Sequence, residues 1–507
     1  MTRNVLEYLE HSAAQFPDKI AVQDAEHAIS YAELVQKAKS IGSFLAETVA
    51  VRNRPMMVLI DRNLESIVLF MGIVYSGNFY VSVDASLPLK RIQSIAQTLS
   101  PAAILSLEKD AALAASLNLP IQAQYETISK HAIAEDRLSQ IRRTAVDTDP
   151  LYAIFTSGST GVPKGVLIAH RGVIDLVSAF ADTFSFSSED VFGNQAPFDF
   201  DVSTKDLYNA FRVGATVDVI PQKLFSFPVK LIAHMNERKI TVAIWSISAL
   251  CIIANLRAMK KVKPEFLKQV LFSGEVLPIK VLQYWQEHLP DLTYVNLYGP
   301  TEITCNCTYY KVDRQFALTE TLPIGKAFPN SDVFVLDEAD NRAPDGTVGE
   351  LCVRGSCLAL GYYNNPQKTA EAFVQNPLQH AYPETIYRTG DLAYKNQDGD
   401  YVYVSRKDFQ IKHMGHRIEL AEIEIAVNAL DFIDYACCLY NQAQEKITLF
   451  YQANQACNAA IIAGISEVLP KYMQPNTYVW LEKMPLNAHA KIDRNRLKET
   501  YFHENPA

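Results

Sequence analysis

The 507-residue chain lacks most of the features that would fix a protein's class at a glance. Its most apolar stretch, residues 67–74, falls far short of the roughly 20 residues that a helical membrane span needs. The N-terminus, MTRNVLEYLEHSAAQF, sets Glu7, Glu10 and His11 within its apolar pattern and has neither the basic start nor the unbroken apolar core of a signal peptide. Positive charge is not in excess: the formal net charge of −9 argues against a broad nucleic-acid footprint. The eight cysteines include the close pairs Cys305/Cys307 and Cys437/Cys438 but no CxxC, so they read as reduced structural thiols and no zinc site is expected. Internal repeats and low-complexity tracts are absent, as are the Walker A and GxGxxG phosphate signatures. Together these absences predict a soluble, cytoplasmic protein with no membrane insertion and no nucleic-acid partner.

What is present is an ordinary globular composition, 49% hydrophobic and 20% charged, in a chain long enough for more than one domain. Strand-like runs recur at 56–60, 102–105, 151–155, 216–220, 241–244 and 269–272, with helical patterns between several of them at 64–75, 171–183, 229–238 and 279–288. Strands alternating with helices predict an α/β architecture with largely parallel sheets. After about Ile324 the texture changes to short strands and glycine turns, at 333–336, 349–353 and 399–404, which reads as a β-rich subdomain. It changes again near Ser405-Arg406-Lys407-Asp408. About a hundred residues follow, with helical patterns at 419–427 and 459–469, a strand at 447–451 and a lysine-bearing tail. The expected organisation is a large N-terminal domain, 1–407, made of two α/β subdomains and a β-rich one. A small mobile α+β C-terminal domain, 408–507, follows it.

The segment Thr156-Ser157-Gly158-Ser159-Thr160-Gly161-Val162-Pro163-Lys164-Gly165 follows the apolar strand pattern at 151–155. Hydroxyls, exposed backbone N–H groups and one ammonium suit a polyphosphate, and glycine lets the backbone come close to it. Five more segments carry chemistry: Phe198-Asp199-Phe200-Asp201-Val202-Ser203, Asn296 to Glu302 (NLYGPTE), Tyr387 to Asp391 (YRTGD), Gln410 to Glu419 (QIKHMGHRIE), and Asn487 to Asp493 (NAHAKID). Each alone has an ordinary structural reading as a turn, a cap or a solvated lysine.

In this order and spacing the segments resemble the adenylate-forming superfamily of acyl- and aminoacyl-activating enzymes. The likeness is strongest to the adenylation domains of nonribosomal peptide synthesis and to the free-standing D-alanine–carrier protein ligases. It runs from Tyr31-Ala32-Glu33-Leu34 to Lys491, and Ser273-Gly274-Glu275-Val276-Leu277-Pro278 looks most like the D-alanine branch. The length also fits a free-standing enzyme acting on a carrier protein in trans.

The resemblance implies ATP and Mg²⁺ as cofactors and a carrier-protein phosphopantetheine as the acyl acceptor. Glu302 would hold the metal and Thr301 would bond the α-phosphate. Thr156, Ser157, Gly158, Ser159, Thr160 and Lys164 would surround the outer phosphates. Tyr298 would stack on adenine with Asn296 nearby, and Asp391, with Arg406 beside it, would take the ribose hydroxyls. Lys491 matches the lysine that bridges the substrate carboxylate and the α-phosphate, although His489-Ala490 precedes it where the family has a glycine. Asp408 matches the hinge about which the C-terminal domain turns between half-reactions, bringing the segment of Lys412 in as Lys491 leaves.

Asp201 matches the aspartate that faces the α-ammonium of an amino acid. The rest of the matched pocket is Val202, Lys205, Ile244 or Trp245, Leu271, Ser273, Leu297, Cys305 and Asn306. The bulky apolar members favour a small substrate such as alanine, whereas Lys205 and Asn306 favour a polar or acidic one. Lys205 reads equally as a snorkelling surface lysine. The alternatives to an amino acid–carrier protein ligase are an acyl- or aryl-CoA ligase, which Asp201 disfavours, and a degenerate nucleotide-binding member.

Overall fold

The computed structural model describes residues 2–157, 163–407, 410–442, 444–486 and 492–502. Chain contacts divide the protein into two compact units. The first comprises Met1–Ala85, Leu99–Ile154 and Gly165–Lys407, and the second comprises Ser86–Thr98, Phe155–Lys164 and Asp408–Ala507.

The first unit is built as alternating strands and helices, as the apolar periodicity predicts. Pro55–Ile60, a strand buried at every position, leads into the helix Leu64–Tyr75, whose start is fixed by Asn63 accepting the Ser66 N–H at 3.1 Å. The helix Tyr31–Thr48 begins with a capping box, Ser30 and Glu33 each bonding the other's backbone. These two helices pack closely because Gly42 and Gly72 face each other's helix: a Cβ on Gly72 would lie 2.4 Å from Ile41.

Two large sheets result. In the seven-stranded sheet, Phe79–Asp84 lies between Pro55–Ile60 and Pro150–Thr156, paired in parallel with both. In the nine-stranded sheet, the strands Thr293–Tyr298, Gln269–Ser273, Val242–Ser246, Val191–Asn194 and Thr216–Val219 run side by side and parallel. Val191–Asn194 has its two successors on opposite sides, Thr216–Val219 on one and Val242–Ser246 on the other. The strand order therefore reverses here, and in open parallel sheets the carboxyl edge at such a point is where ligands bind. Asn194, Ser246, Ser273 and Tyr298 stand at that edge. A third sheet of five antiparallel strands, centred on Gly349–Gly355 and Thr385–Lys395, forms the β-rich part.

The second unit contains the hairpin Gln410–His413/His416–Glu419, the helix Leu420–Asn428 and a three-stranded sheet of Tyr435–Asn441, Lys446–Gln452 and Thr477–Leu481. Its core gathers Ile418, Ile423, Leu449, Tyr451, Ile461 and Met473. Within it Arg91 and Glu422 form a buried ion pair at 2.5 Å. The architecture is the mixed α/β one expected, a large part with extensive sheets and a smaller α+β part. No described helix is long and apolar enough to cross a membrane, and none of the eight cysteines is disulfide-bonded.

Candidate active site

The strand Thr293–Tyr298 delivers one half of the site in the first unit. Its last side chain, Tyr298, is buried, and its hydroxyl donates to Asp391 Oδ2 at 2.5 Å. Arg406 Nη1 donates to the other oxygen, Asp391 Oδ1, at 2.6 Å. Burial above all, and then the Asp391 charge, holds the Tyr298 phenol well above its usual range, so it stays a donor at neutral pH. Asn296, two residues earlier, donates through Nδ2 to Pro323 O at 2.8 Å. The motif residues Asn296, Tyr298, Asp391 and Arg406 all lie in this unit, three of them joined by direct hydrogen bonds.

After Gly299-Pro300 the chain makes a single turn of 3-10 helix, Thr301–Ile303. Glu302 is completely buried, and the Tyr362 hydroxyl donates to its Oε1 at 2.7 Å. Thr301 beside it is half-buried. Thr304 and Cys305 then take left-handed backbone angles, φ 58° and 75°. Such angles are rare for a β-branched residue and are held only by surrounding structure. Here Thr304 Oγ1 donates to Cys357 O at 2.7 Å, and the Ala359 N–H donates to Glu302 O at 2.9 Å.

One carboxylate and a neighbouring hydroxyl suit Mg²⁺, which takes most of its ligands from phosphate and water. Among the described residues the one cluster of three metal-ligand side chains within mutual reach is Asp24, His27 and Glu65, so a metal at Glu302 would not be caged by protein.

The other half of the site comes from the helix Val202–Val213 and the carboxyl ends of the parallel strands. Asp201 stands at the helix's N-cap position but makes no capping hydrogen bond and is 6% exposed. Lys205, one turn on, is completely buried, which excludes the surface reading of this lysine. Its Nζ donates to Asn306 Oδ1 at 2.9 Å and Ser273 Oγ at 3.3 Å. Val202, Ile244, Trp245, Leu271, Leu297 and Cys305 are buried as well. The Trp245 indole donates to Gly193 O at 2.7 Å. Burial foremost raises the Cys305 thiol above its usual range, Asp201 adds to this and Lys205 opposes it, so the thiol lies within reach of both charges. A Cβ on Gly299 would meet Asn306 Cα at 2.6 Å and Cys305 O at 2.7 Å, so the turn after Tyr298 and the backbone of Asn306 are in direct contact.

Four residues outside the sequence-derived set support these groups. Tyr362 serves Glu302. Asn194 Nδ2 donates to Asp206 Oδ2 at 2.9 Å. Arg62 ties the edge together, donating to the carbonyls of Asn194, Gln195 and Ile220 at 3.0, 2.7 and 2.9 Å. Burial pushes Asp206 up to about 7, opposed by Asn194 and by the Lys205 and Arg62 charges. Burial likewise brings Arg62 down to about 10 against the pull of Asp206, Asp199 and Asp61. No motif announces these residues, because each acts through a partner distant in sequence. Only burial of an isolated Arg or Asp in an apolar context is a signal, and the sequence does not display burial.

In the second unit Ser157 Oγ donates to Arg417 O at 2.8 Å and accepts the Glu419 N–H at 3.0 Å. The buried hydroxyl of Thr156 has no partner among the described residues. Lys412 sits on the hairpin opposite Arg417. Gly158, Ser159, Thr160, Asp408 and Lys491 lie outside the described residues, and Lys164 is half-buried at the start of the strand Lys164–Ala169.

A family profile described as "AMP-binding enzyme" matches residues 9–363. Tyrocidine synthase 1 of Brevibacillus parabrevis is 29% identical over 98% of this chain, which spans 45% of that relative. This chain spans 19% and 8% of two further synthases that it matches. A D-alanine–D-alanyl carrier protein ligase of Lacticaseibacillus paracasei is 31% identical over 98% of this chain and 99% of its own length. In fold, the chain is similar to the Vibrio cholerae adenylation domain AlmE in complex with glycyl-adenosine-5'-phosphate: TM-score 0.84, 21% identity, covering 99% of this chain and 98% of that one.

Proposed function

This chain belongs to the AMP-binding enzyme family, and from that premise we propose that it activates an amino acid with ATP and loads it onto a carrier protein. In the first half-reaction an oxygen of the substrate carboxylate attacks the α-phosphorus of ATP and the bond to the β-phosphate oxygen breaks. The products are an aminoacyl-adenylate and pyrophosphate. In the second, the sulfur of a phosphopantetheine thiol attacks the acyl carbon, forming a thioester and releasing AMP, while the thiol proton passes to solvent or a basic group.

The observation that carries the proposal is the joining of two sets of groups by Gly299: the Tyr298–Asp391–Arg406 network with Glu302 on one side, and Asp201, Lys205 and Asn306 on the other. Asp391 has two oxygens fixed by Tyr298 and Arg406, which orients a carboxylate to receive a ribose diol. Glu302 is held by Tyr362 beside Thr301, and this pair would face the α-phosphate. Mg²⁺ bound there supplies charge neutralisation of the phosphate oxygens. Lys491 would counter the two anions as they meet, its ammonium serving both at once. Asp201, buried at the head of the helix Val202–Val213, matches the aspartate that faces the α-ammonium of an amino acid and would take that role. The full-length match to a carrier protein ligase supports the acceptor assignment.

The test is pyrophosphate exchange into ATP across D- and L-amino acids, aryl acids and fatty acids, together with Lys491→Ala. Exchange driven by amino acids is expected, with the variant losing about 100-fold or more while still binding ATP. Exchange driven only by aryl or fatty acids, or by nothing, overturns the reading.

A further inference from the structure

Lys205 is the most unusual group in the first unit, an ammonium with no solvent exposure whose hydrogen-bond partners, Asn306 Oδ1, Ser273 Oγ and the Cys305 thiol, are all neutral. A buried charge needs an opposite charge close by. The carboxylates on its own element are Asp201 one turn before it and Asp206 next to it. Asp206 shares its Oδ2 with Asn194 and also answers to Arg62. Asn306 is 3% exposed and spends its oxygen on Lys205, which leaves its Nδ2 with no hydrogen-bond partner among the described residues. Unspent N–H groups and a positive charge therefore meet at one place, and no carboxylate among the described residues is hydrogen-bonded to either.

The spacing says what would carry an anion there. Asp201 and Lys205 are four residues apart at the head of one helix, so they share a face with Cβ atoms about 5–6 Å apart. A ligand laid along this face meets a carboxylate first and an ammonium one turn later. An α-amino acid with a carboxylate on its side chain has the complementary order of charges.

We propose that the substrate is an α-amino dicarboxylic acid of the aspartate or glutamate type, its distal carboxylate held by Lys205 Nζ and Asn306 Nδ2. This rests on the amino acid activation proposed above and adds the side chain to it. Lys205 and Asn306 are then the residues that set specificity, and Ser273 holds the lysine in place.

The experiment measures amino-acid-dependent pyrophosphate exchange by the full chain with aspartate, glutamate, asparagine, glutamine, alanine and glycine, using both hands where they exist. An acid is expected to exceed its own amide by about 100-fold in kcat/KM, since a site built to bind one group rejects the analogue lacking it. Lys205→Met, and separately Asn306→Asp, are expected to shrink that ratio to below about 5-fold. The wild-type ratio decides the matter even where a variant fails to fold. Exchange that is best with alanine, glycine or an amide overturns the specificity and leaves activation standing. Exchange with no amino acid overturns both.

Discussion

Glu302 and Asp391 show how a buried carboxylate is made tolerable at the scale of one residue. Each accepts a phenol O–H, from Tyr362 and Tyr298 respectively, at 2.7 and 2.5 Å. His170 shows the opposite solution, a titratable group kept neutral. It is 3% exposed, its Nδ1 accepts the Val5 N–H at 3.3 Å, and burial depresses it to about 3. The unfolded chain therefore takes up this proton first, near pH 6.5. The stability His170 contributes is present above that pH and is lost as pH falls toward 3, by roughly 1.4 kcal/mol per pH unit. Urea midpoints of wild type and His170→Leu should converge as pH is lowered from 7 to 3.5, and a pH-independent gap would contradict this. Glu302 and Asp391 were legible in the sequence because each sits beside a glycine turn in a recognisable motif. Tyr362 was not, since it lies 60 residues from the carboxylate it serves. Lys205 was ambiguous, because a lysine is written the same way inside a pocket and on a surface.

At the scale of elements, local pattern was a good guide and pairing was not. The helices Leu64–Tyr75 and Ile279–His288 lie where the apolar spacing put them, the first begun by Asn63 and the second by Pro278. The reversal at Val191–Asn194 is invisible in sequence, because strand neighbours are chosen by packing between segments far apart. That reversal is what sets Asp201 and Lys205 over the carboxyl ends of the other strands. The element that joins the two halves of the site is the turn at Gly299. Gly299→Ala would drive a methyl into Asn306 Cα and Cys305 O, and overpacking of this kind costs about 1–3 kcal/mol. Exchange kinetics should show KM for ATP and for the amino acid rising together, each by about 10-fold. A rise in the amino-acid KM alone would mean that the turn does not couple them.

For the whole molecule, the two-unit organisation places the hairpin bearing Lys412 in the second unit and the Tyr298–Asp391 network in the first. The hinge role of Asp408 is a proposal from the sequence, and proline tests it because a ring that fixes φ removes the freedom a hinge uses. Asp408→Pro should leave pyrophosphate exchange within about 3-fold and lower thioester formation on a holo carrier protein by about 10-fold or more. Equal loss in both steps sinks the assignment. The overall class was legible because each motif kept its order along the chain, whereas the assembly of the second unit from three separated stretches was not. One feature bears on how such a protein tolerates improvement. The left-handed pair Thr304 and Cys305 stores about 1–3 kcal/mol per residue beside Glu302. Glycine at position 304 would relax the backbone there and would also remove the hydroxyl that donates to Cys357 O. The turn that aims Glu302 would slacken with it, so relief of strain and precision of the site pull this loop in opposite directions.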